Sequence, residues 1–366
     1  MGACTPAPVP ADNKSLSAIA HLMDSLENAD AFSGSLVISK SDSVVFEAYY
    51  GLANRTFNVP VTRDTRFDMA SVNKSFVAAL VLLACEEGKL ALDDKLNERL
   101  PFPVDPSLHP EITLHQLLTH TSGLPDYDGV APELRAHGFA RFKRLHFTNQ
   151  EYAEFIAGLA PVANPGERFY YSNFGYHLLC IVLEEQYQKD FNALLQEKIC
   201  GPLNMENTFN SIDNEAVFEN VATGYQFDEN AGEWRKNNFI DLTLGRRIFT
   251  TAKDLQQWGA AMLDNRLLSD SSRLMMQTNH LGGLEEKLSY GYGWVVYGPN
   301  QTFAMGDLGI NTPYIIHGGA TEGFKAMLII EQEEGWIVSL LSNSGNRTNE
   351  MELGKKLIHH LLKLKE

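Results

Sequence analysis

The chain has 366 residues, of which 44% are hydrophobic and 21% are charged. This profile is typical of an ordinary globular protein with one large domain or two closely packed lobes. The formal net charge is −16. It argues against nucleic acid or an anionic membrane surface as the main partner, because phosphate binding requires clustered Lys and Arg.

The chain begins with Met1-Gly2-Ala3-Cys4, followed by a Pro-rich polar stretch. A bacterial lipoprotein signal ends in Gly-Ala-Cys, and the cysteine becomes the lipidated first residue of the mature protein. Two interpretations of residues 1–14 stay open. We favour a periplasmic or lipid-anchored bacterial protein with its anchor at Cys4 over a cytoplasmic protein with a disordered tail.

Helix and strand patterns alternate along the first part of the chain. Apolar residues at helical spacing predict an amphipathic helix over residues 15–27. Residues 32–39 and 43–50 read as two strands of an antiparallel hairpin. Residues 71–87 then form a strongly helical stretch, for which Gly88 is a suitable C-terminal cap.

The middle of the chain is rich in helix patterns, and its end returns to strands. Helices are predicted over 112–119, 149–159, 173–188, 190–199 and 252–263. Strands are predicted over 290–297, 314–317, 324–331 and 336–342, before a final helix over 350–364. Strands from both ends therefore predict a sheet lobe of residues 15–68 and 285–366, with a mainly helical lobe of residues 69–284 inserted between them.

The four cysteines show neither metal-ligand spacing nor a redox pair. Cys85 and Cys180 lie in apolar helical stretches and read as small core residues. The sequence therefore predicts no metal site and no disulfide framework.

A serine and a lysine at helical spacing form the first catalytic candidate. Ser71 is the only serine in the chain with a lysine, Lys74, three residues later. Positions i and i+3 share a helix face, and a lysine whose pKa is lowered by burial can remove the proton of a serine hydroxyl. The pattern is weak alone, since about one such pair is expected by chance in a chain of this length.

Two further motifs follow in the chain. Tyr171-Ser172-Asn173 precedes an apolar helix, where a tyrosine hydroxyl near an ammonium group can act as acid or base. The alternative, purely structural interpretation of this motif is that Asn173 caps the helix beside aromatic residues that pack in the core. His317-Gly318-Gly319 ends a predicted strand and is followed by Ala320, and its backbone N–H groups are suited to an oxyanion. A lone histidine there is more often structural.

Taken together, the three motifs resemble the serine β-lactamases, DD-peptidases and related esterases, in their class C-like branch. The resemblance runs from about Phe32 to Leu362. Supporting stretches are Thr65–Phe76, Leu117–Leu124, Thr250–Leu255 and Tyr290–Trp294. Within the second of these stretches, His120 reads as structural.

The resemblance implies an α+β fold of the β-lactamase/transpeptidase type, with an antiparallel sheet flanked by helices and an inserted helical lobe. Ser71 would form an acyl-enzyme, and Lys74 and Tyr171 would share the proton transfers. Asn173 would hold Lys74 and the substrate. The oxyanion hole would be the N–H groups of Ser71 and Ala320, and no cofactor is implied.

The third motif departs from the Lys-Thr-Gly of β-lactamases. His317 is expected to be mostly neutral at pH 7, and Gly318 lacks the hydroxyl that would bind a substrate carboxylate. The loss of one charge-assisted hydrogen bond costs about 1.5–3 kcal/mol. Arg347, after the last strand, is a candidate replacement for the missing lysine, with a solvated helix start as the alternative.

Three functions stay open. The first is an acyl-serine hydrolase that cleaves small esters or amides and peptides of D-residues. The second is a β-lactamase or DD-carboxypeptidase, and the third is a non-catalytic module that binds penicillin or peptide. The intact Ser71, Lys74, Tyr171 and Asn173 argue against the third, because a buried lysine charge without a catalytic role is costly.

Overall fold

The computed structural model describes residues 14–103, 108–135, 147–211, 216–236, 247–321 and 323–363. Cys4 and the rest of the predicted tail up to residue 13 lie outside these ranges, whereas Lys14 already belongs to the first helix. Within the described ranges, no helix is long and apolar enough to cross a membrane.

The helices and strands are numbered in chain order. The helices are α1 (Lys14–Asn28), α2 (Asn73–Glu86), α3 (Leu96–Arg99), α4 (Leu114–Leu118), α5 (Pro132–Arg135), α6 (Asn149–Ala157), α7 (Asn173–Tyr187), α8 (Phe191–Leu195), α9 (Ala252–Ala261), α10 (Asp270–Met276) and α11 (Glu350–Leu362). The strands are β1 (Gly34–Lys40), β2 (Ser43–Tyr50), β3 (Leu52–Asn54), β4 (Val59–Pro60), β5 (Phe67–Asp68), β6 (Phe209–Asn210), β7 (Tyr225–Asp228), β8 (Glu233–Lys236), β9 (Ile248–Thr250), β10 (Val295–Tyr297), β11 (Tyr314–Thr321), β12 (Phe324–Glu331) and β13 (Trp336–Ser342).

In the described part of the chain, the main sheet has six antiparallel strands in the order β10-β11-β12-β13-β1-β2. The two ends of the chain meet inside it, because β1 pairs with β13 from Gly34 opposite Ser342 to Lys40 opposite Trp336. The central strands are rich in branched apolar residues, which suits strands covered on both faces.

Each face of this sheet carries its own hydrophobic core. On one face α1 packs against α11, and apolar side chains of both helices bury against the sheet. On the other face α9 packs against β13, β1 and β12. Behind α9 lies α2, where Phe76 stacks on Trp258 with ring centroids 4.2 Å apart. The α2 helix is apolar nearly all round, as expected for a helix buried on every side.

The antiparallel sheet with flanking helices confirms the predicted fold class. The strands predicted over 324–331 and 336–342 agree with β12 and β13. Two other predictions need correction. Of the strand expected over 290–297 only Val295–Tyr297 forms, and the strand expected to stop at His317 runs on to Thr321. The boundaries of the two predicted lobes stay a prediction.

Candidate active site

Ser71 lies in a single 3₁₀ turn, Ala70–Val72, between β5 and α2. The helix itself therefore begins at Asn73, two residues later than predicted. Ala70 has φ +47°, a left-handed conformation that costs a residue with a side chain about 1 kcal/mol or more. The turn is thus held by its surroundings rather than by local preference.

Asp68 holds this turn from one side. Its Oδ1 accepts the N–H of Ala70 at 2.8 Å, and its other oxygen forms a buried ion pair with Arg247. Both side chains are almost fully buried. Because the carboxylate accepts the N–H of a strained residue next to Ser71, the pair holds Ser71 in position.

Strand β11 holds the turn from the other side. A Cβ on Gly319 would lie 2.5 Å from the carbonyl oxygen of Met69 and 3.0 Å from the nitrogen of Ser71. Only glycine permits so close an approach. The strand therefore continues through the glycines past Ser71, which explains why the predicted end at His317 was wrong.

Lys74 lies one helical turn after Ser71. Its Nζ is 3.4 Å from Ser71 Oγ and 3.3 Å from Asn73 Oδ1, and only 2% of the residue is exposed. Burial lowers the pKa of Lys74 to about 8, although the nearby Asp126 carboxylate opposes the shift. A substantial fraction of this amine is therefore neutral near pH 8 and able to accept a proton.

Tyr171 places a buried hydroxyl in the cavity that contains Ser71. Burial raises the pKa of Tyr171, while the Ser71 side chain opposes the shift. Lys74 Nζ lies 5.6 Å from the centre of the Tyr171 ring. At neutral pH the phenol is therefore protonated and able to donate a proton.

His120 supports the segment that carries Tyr171. Its ring lies 4.2 Å from that of Tyr171, and its Nδ1 accepts the N–H of Ser172 at 3.1 Å. Burial, and secondarily Lys74, lower the pKa of His120 well below its usual value. The neutral imidazole thus packs against the catalytic candidate and orients it, in keeping with the structural role expected from the sequence.

Asn173 is held by Asp126, not by Lys74. Its backbone N–H and its Nδ2 donate to the two carboxylate oxygens of Asp126, each at 3.0 Å. Burial raises the pKa of Asp126 to about 6. Lys74 donates to Asn73 instead, which corrects the expected Asn173 contact. The N-cap of α7 is Ser172, and Asn173 is its first residue.

His317 carries no charge near neutral pH. Its Nδ1 lies 2.7 Å from the carbonyl oxygen of Gly318, so that nitrogen must hold the proton and donate it. Nε2 then accepts from the Tyr290 hydroxyl at 3.2 Å. Burial lowers the pKa of His317 to about 4. The position that holds a lysine in β-lactamases is therefore neutral here, as the sequence predicted.

Two cavities meet at Ser71. The larger has a volume of about 700 Å³, and Tyr171, His317, Gly318 and Ala320 also line it. The smaller, of about 50 Å³, is lined mainly by polar residues and adjoins Lys74, Asn173 and Ala320. The structure thus brings the candidates from the three motifs together around Ser71.

Arg347 is not brought to either cavity. Its guanidinium lies 3.5 Å from Glu229 and stacks over the Phe227 ring, 4.2 Å from its centre. The arginine that lines the smaller cavity is Arg247, whose charge is paired with Asp68. A substrate carboxylate at Ser71 would therefore find no free guanidinium among the residues that line the two cavities within the described ranges.

The sequence analysis missed Asp68, Asp126, Arg247 and Tyr290 as site residues. Asp68 and Tyr290 lie in stretches that support the family resemblance, so proximity to those motifs was an available signal. Nothing in the local sequence of Asp126 or Arg247 indicates a role. Over the described ranges, no three His, Cys, Asp or Glu side chains are arranged to hold a metal ion.

A family model described as Beta-lactamase matches residues 17–363. The chain belongs to the beta-lactamase family. This confirms the resemblance read from the three motifs.

Named relatives cover most of the chain at low identity. Penicillin-binding protein 4* of Bacillus subtilis (strain 168) is 24% identical over 357 residues, which cover 93% of this chain and 74% of that protein. Protein flp of Staphylococcus aureus (strain N315) is 25% identical over 333 residues, which cover 89% of this chain and 61% of that protein. This member of the family therefore spans less than two thirds of the second relative.

One solved structure with the same fold is the D-amino acid amidase from Ochrobactrum anthropi SV3. It superposes with a TM-score of 0.74 at 22% identity, covering 96% of this chain and 98% of that one. At this identity the likeness shows the fold alone.

Proposed function

We propose that this protein is an acyl-serine hydrolase that cleaves small esters, or amides and peptides of D-residues, through an acyl-enzyme on Ser71. The observation that carries the proposal is the buried Lys74 amine, with its pKa lowered to about 8, at 3.4 Å from Ser71 Oγ. A buried lysine beside a serine has a chemical purpose that a binding module would not need.

The proton transfers follow from the protonation states. Neutral Lys74 takes the proton of Ser71, and Oγ attacks the substrate carbonyl carbon. The developing oxyanion accepts hydrogen bonds from the N–H groups of Ser71 and Ala320. The Tyr171 hydroxyl gives its proton to the leaving group and regains one from Lys74. Water then attacks the ester carbon on Ser71 while neutral Lys74 takes one of its protons. The Tyr171 hydroxyl gives its proton to Ser71 Oγ as the acid product leaves, and Lys74 returns a proton to Tyr171.

The neutral third motif disfavours β-lactams and peptides with a terminal carboxylate as preferred substrates. His317 is uncharged, Gly318 has no hydroxyl and Arg247 is paired with Asp68. A fixed substrate carboxylate would lose a charge-assisted hydrogen bond of about 1.5–3 kcal/mol. Uncharged esters and amides avoid this loss.

The test is intact-mass spectrometry seconds after mixing with a p-nitrophenyl ester, a D-Ala-D-Ala peptide or a penicillin, each alone. We expect the ester to add its acyl mass at Ser71, and Ser71→Ala to prevent the adduct. Ser75→Ala is the matched control, because this serine lies on α2 but donates to the Val72 carbonyl oxygen. Absence of labelling by every donor, or equal labelling of Ser71→Ala, would show that the Ser71 mechanism is wrong.

A further inference from the structure

The larger cavity at Ser71 has a predominantly apolar wall. Its volume of about 700 Å³ exceeds what a small acyl group or alcohol needs. The apolar side chains of the wall are Phe169, Leu288, Val295, Met305, Ile316 and Met351. Burial of a hydrophobic group against such a wall is favourable by about 25 cal/mol for each Å² removed from water. A substrate with a sizeable apolar group therefore fits this cavity.

Two carboxylates interrupt the apolar wall. Asp307 accepts the N–H of Gly309 through Oδ1 at 2.6 Å, and Glu352 is exposed in the first turn of α11. Neither forms an ion pair with another described residue, and no lysine or arginine of the described ranges lines the larger cavity. Lys355 and Lys356 line a separate groove along α11 that shares only Glu352. The charged side chains that line the larger cavity within the described ranges are thus both acidic.

We propose that this cavity selects substrates in which an apolar group flanking the scissile bond carries a positive charge, such as an ammonium group. The inference rests on the proposed hydrolase function. At partly exposed sites, two opposite charges several ångströms apart attract each other, and like charges repel each other. Together these effects predict that the ammonium form of a substrate reacts on the order of tenfold faster than its carboxylate form.

The test uses two substrate series, because the cavity can take either side of the scissile bond. In one series, p-nitrophenyl esters carry a six-carbon acyl chain that ends in methyl, ammonium or carboxylate. In the other, acetyl thioesters carry the same three ends on the thiol. We expect kcat/KM to fall from ammonium to methyl to carboxylate in one series. The difference in kcat/KM between the ammonium and carboxylate substrates should become smaller at high salt.

The variant Asp307→Asn/Glu352→Gln should bring the ammonium-to-carboxylate ratio close to one. Asn at position 307 keeps an oxygen that can accept the Gly309 N–H. The matched control is Asp93→Asn/Glu98→Gln, which changes the net charge equally at exposed residues that line neither cavity. It should keep the ratio of the unmodified protein, since the effect is local rather than due to the charge of −16.

The outcomes separate the two proposals. Suppose that the p-nitrophenyl ester whose chain ends in methyl acylates Ser71, but that neither series shows the order ammonium, methyl, carboxylate. The cavity inference is then wrong, while the hydrolase function stands. The same holds if the order survives in Asp307→Asn/Glu352→Gln. If no member of either series acylates Ser71, the proposed function fails, and the cavity inference fails with it.

Discussion

At the scale of single residues, the site depends on side chains that are removed from water. Burial leaves Lys74 with a pKa of about 8, keeps Tyr171 protonated and keeps His317 neutral. Each shift has the same cause, since the charged form of a buried group loses its hydration. The reactivity proposed for Ser71 is therefore obtained at the expense of stability, because the ammonium form of Lys74 is costly to bury.

We expect Lys74→Met to abolish acylation and to stabilise the protein at pH 7. The pKa of Lys74 is about 8 in the folded chain, against a value of 10.5 when exposed. Below pH 8 the folded state therefore carries the full penalty of charge burial, about 3 kcal/mol at most. Between pH 8 and 10.5 the unfolded state binds more protons, so the unmodified protein gains stability as pH rises.

Denaturant unfolding at pH 7 and pH 10 measures this effect. The stability advantage of Lys74→Met should be largest at pH 7 and should shrink at pH 10. Lys236→Met is the control, since this lysine is exposed on β8. A variant that is less stable than the unmodified protein at pH 7, or an advantage that does not change with pH, would contradict the assigned pKa.

At the scale of elements, the turn that carries Ser71 lies between β5 and α2 and is held in place by strands on two sides. β5 supplies Asp68, the chain entering β9 supplies Arg247, and β11 presents Gly319 to the other side of the turn. Because β5 and β9 pair with each other, the backbone already places the Asp68 carboxylate close to the Arg247 guanidinium. The strained φ of Ala70 is thus imposed by two sheets at once.

Removal of the Asp68 carboxylate should affect the stability of the protein and its catalytic rate in ways that can be measured separately. Asp68→Ala leaves Arg247 buried without its partner, and we expect a loss of about 3–5 kcal/mol in the free energy of unfolding. Asp68→Ala/Arg247→Met removes both charges and should recover much of that loss. The N–H of Ala70 stays without its acceptor in both variants, so kcat should remain reduced by about tenfold to hundredfold.

Denaturant unfolding and single-turnover acylation measure the two effects separately. Recovery of kcat together with stability in the double variant would mean that Asp68 serves only as the partner of Arg247. The positioning of the Ser71 turn by the Asp68 carboxylate would then be wrong.

At the scale of the whole molecule, the chain closes on itself through the main sheet. β1 pairs with β13, and α1 packs against α11 beside this junction. Leu353, Leu357, Ile358 and Leu361 of α11 are buried in the core of that face. The site strand β11 is two strands away from β13, so its position depends on contacts between the two ends of the chain.

A chain that stops at Asn349 lacks α11 and should fail to fold. Burial of four large apolar side chains contributes roughly 1.5–3 kcal/mol each, which together rival the net stability of a typical domain. A chain that stops at Lys363 keeps the whole helix and is the control. Circular dichroism with thermal unfolding gives the readout, and a cooperative transition in the shorter chain would contradict the prediction.

Much of the main sheet could be predicted because its strands carry dense local signals. The bounds of β12 and β13 follow from two runs rich in branched and aromatic residues that flank the Glu331–Gly335 turn. The pair Ser71 and Lys74 could be found because helical spacing brings them together within one turn. The short strands β5, β6 and β9 carried too few residues for a periodic pattern.

By itself, the sequence determined the fold class, the family and the candidate nucleophile with its lysine and tyrosine. These follow from patterns that act over a few residues or recur in a fixed order. Only the tertiary structure decided that Asp68 pairs with Arg247, that Asp126 holds Asn173 and that Arg347 lies apart from the cavities. Such contacts join residues far apart in the chain, and their partners are chosen by the packing of distant elements.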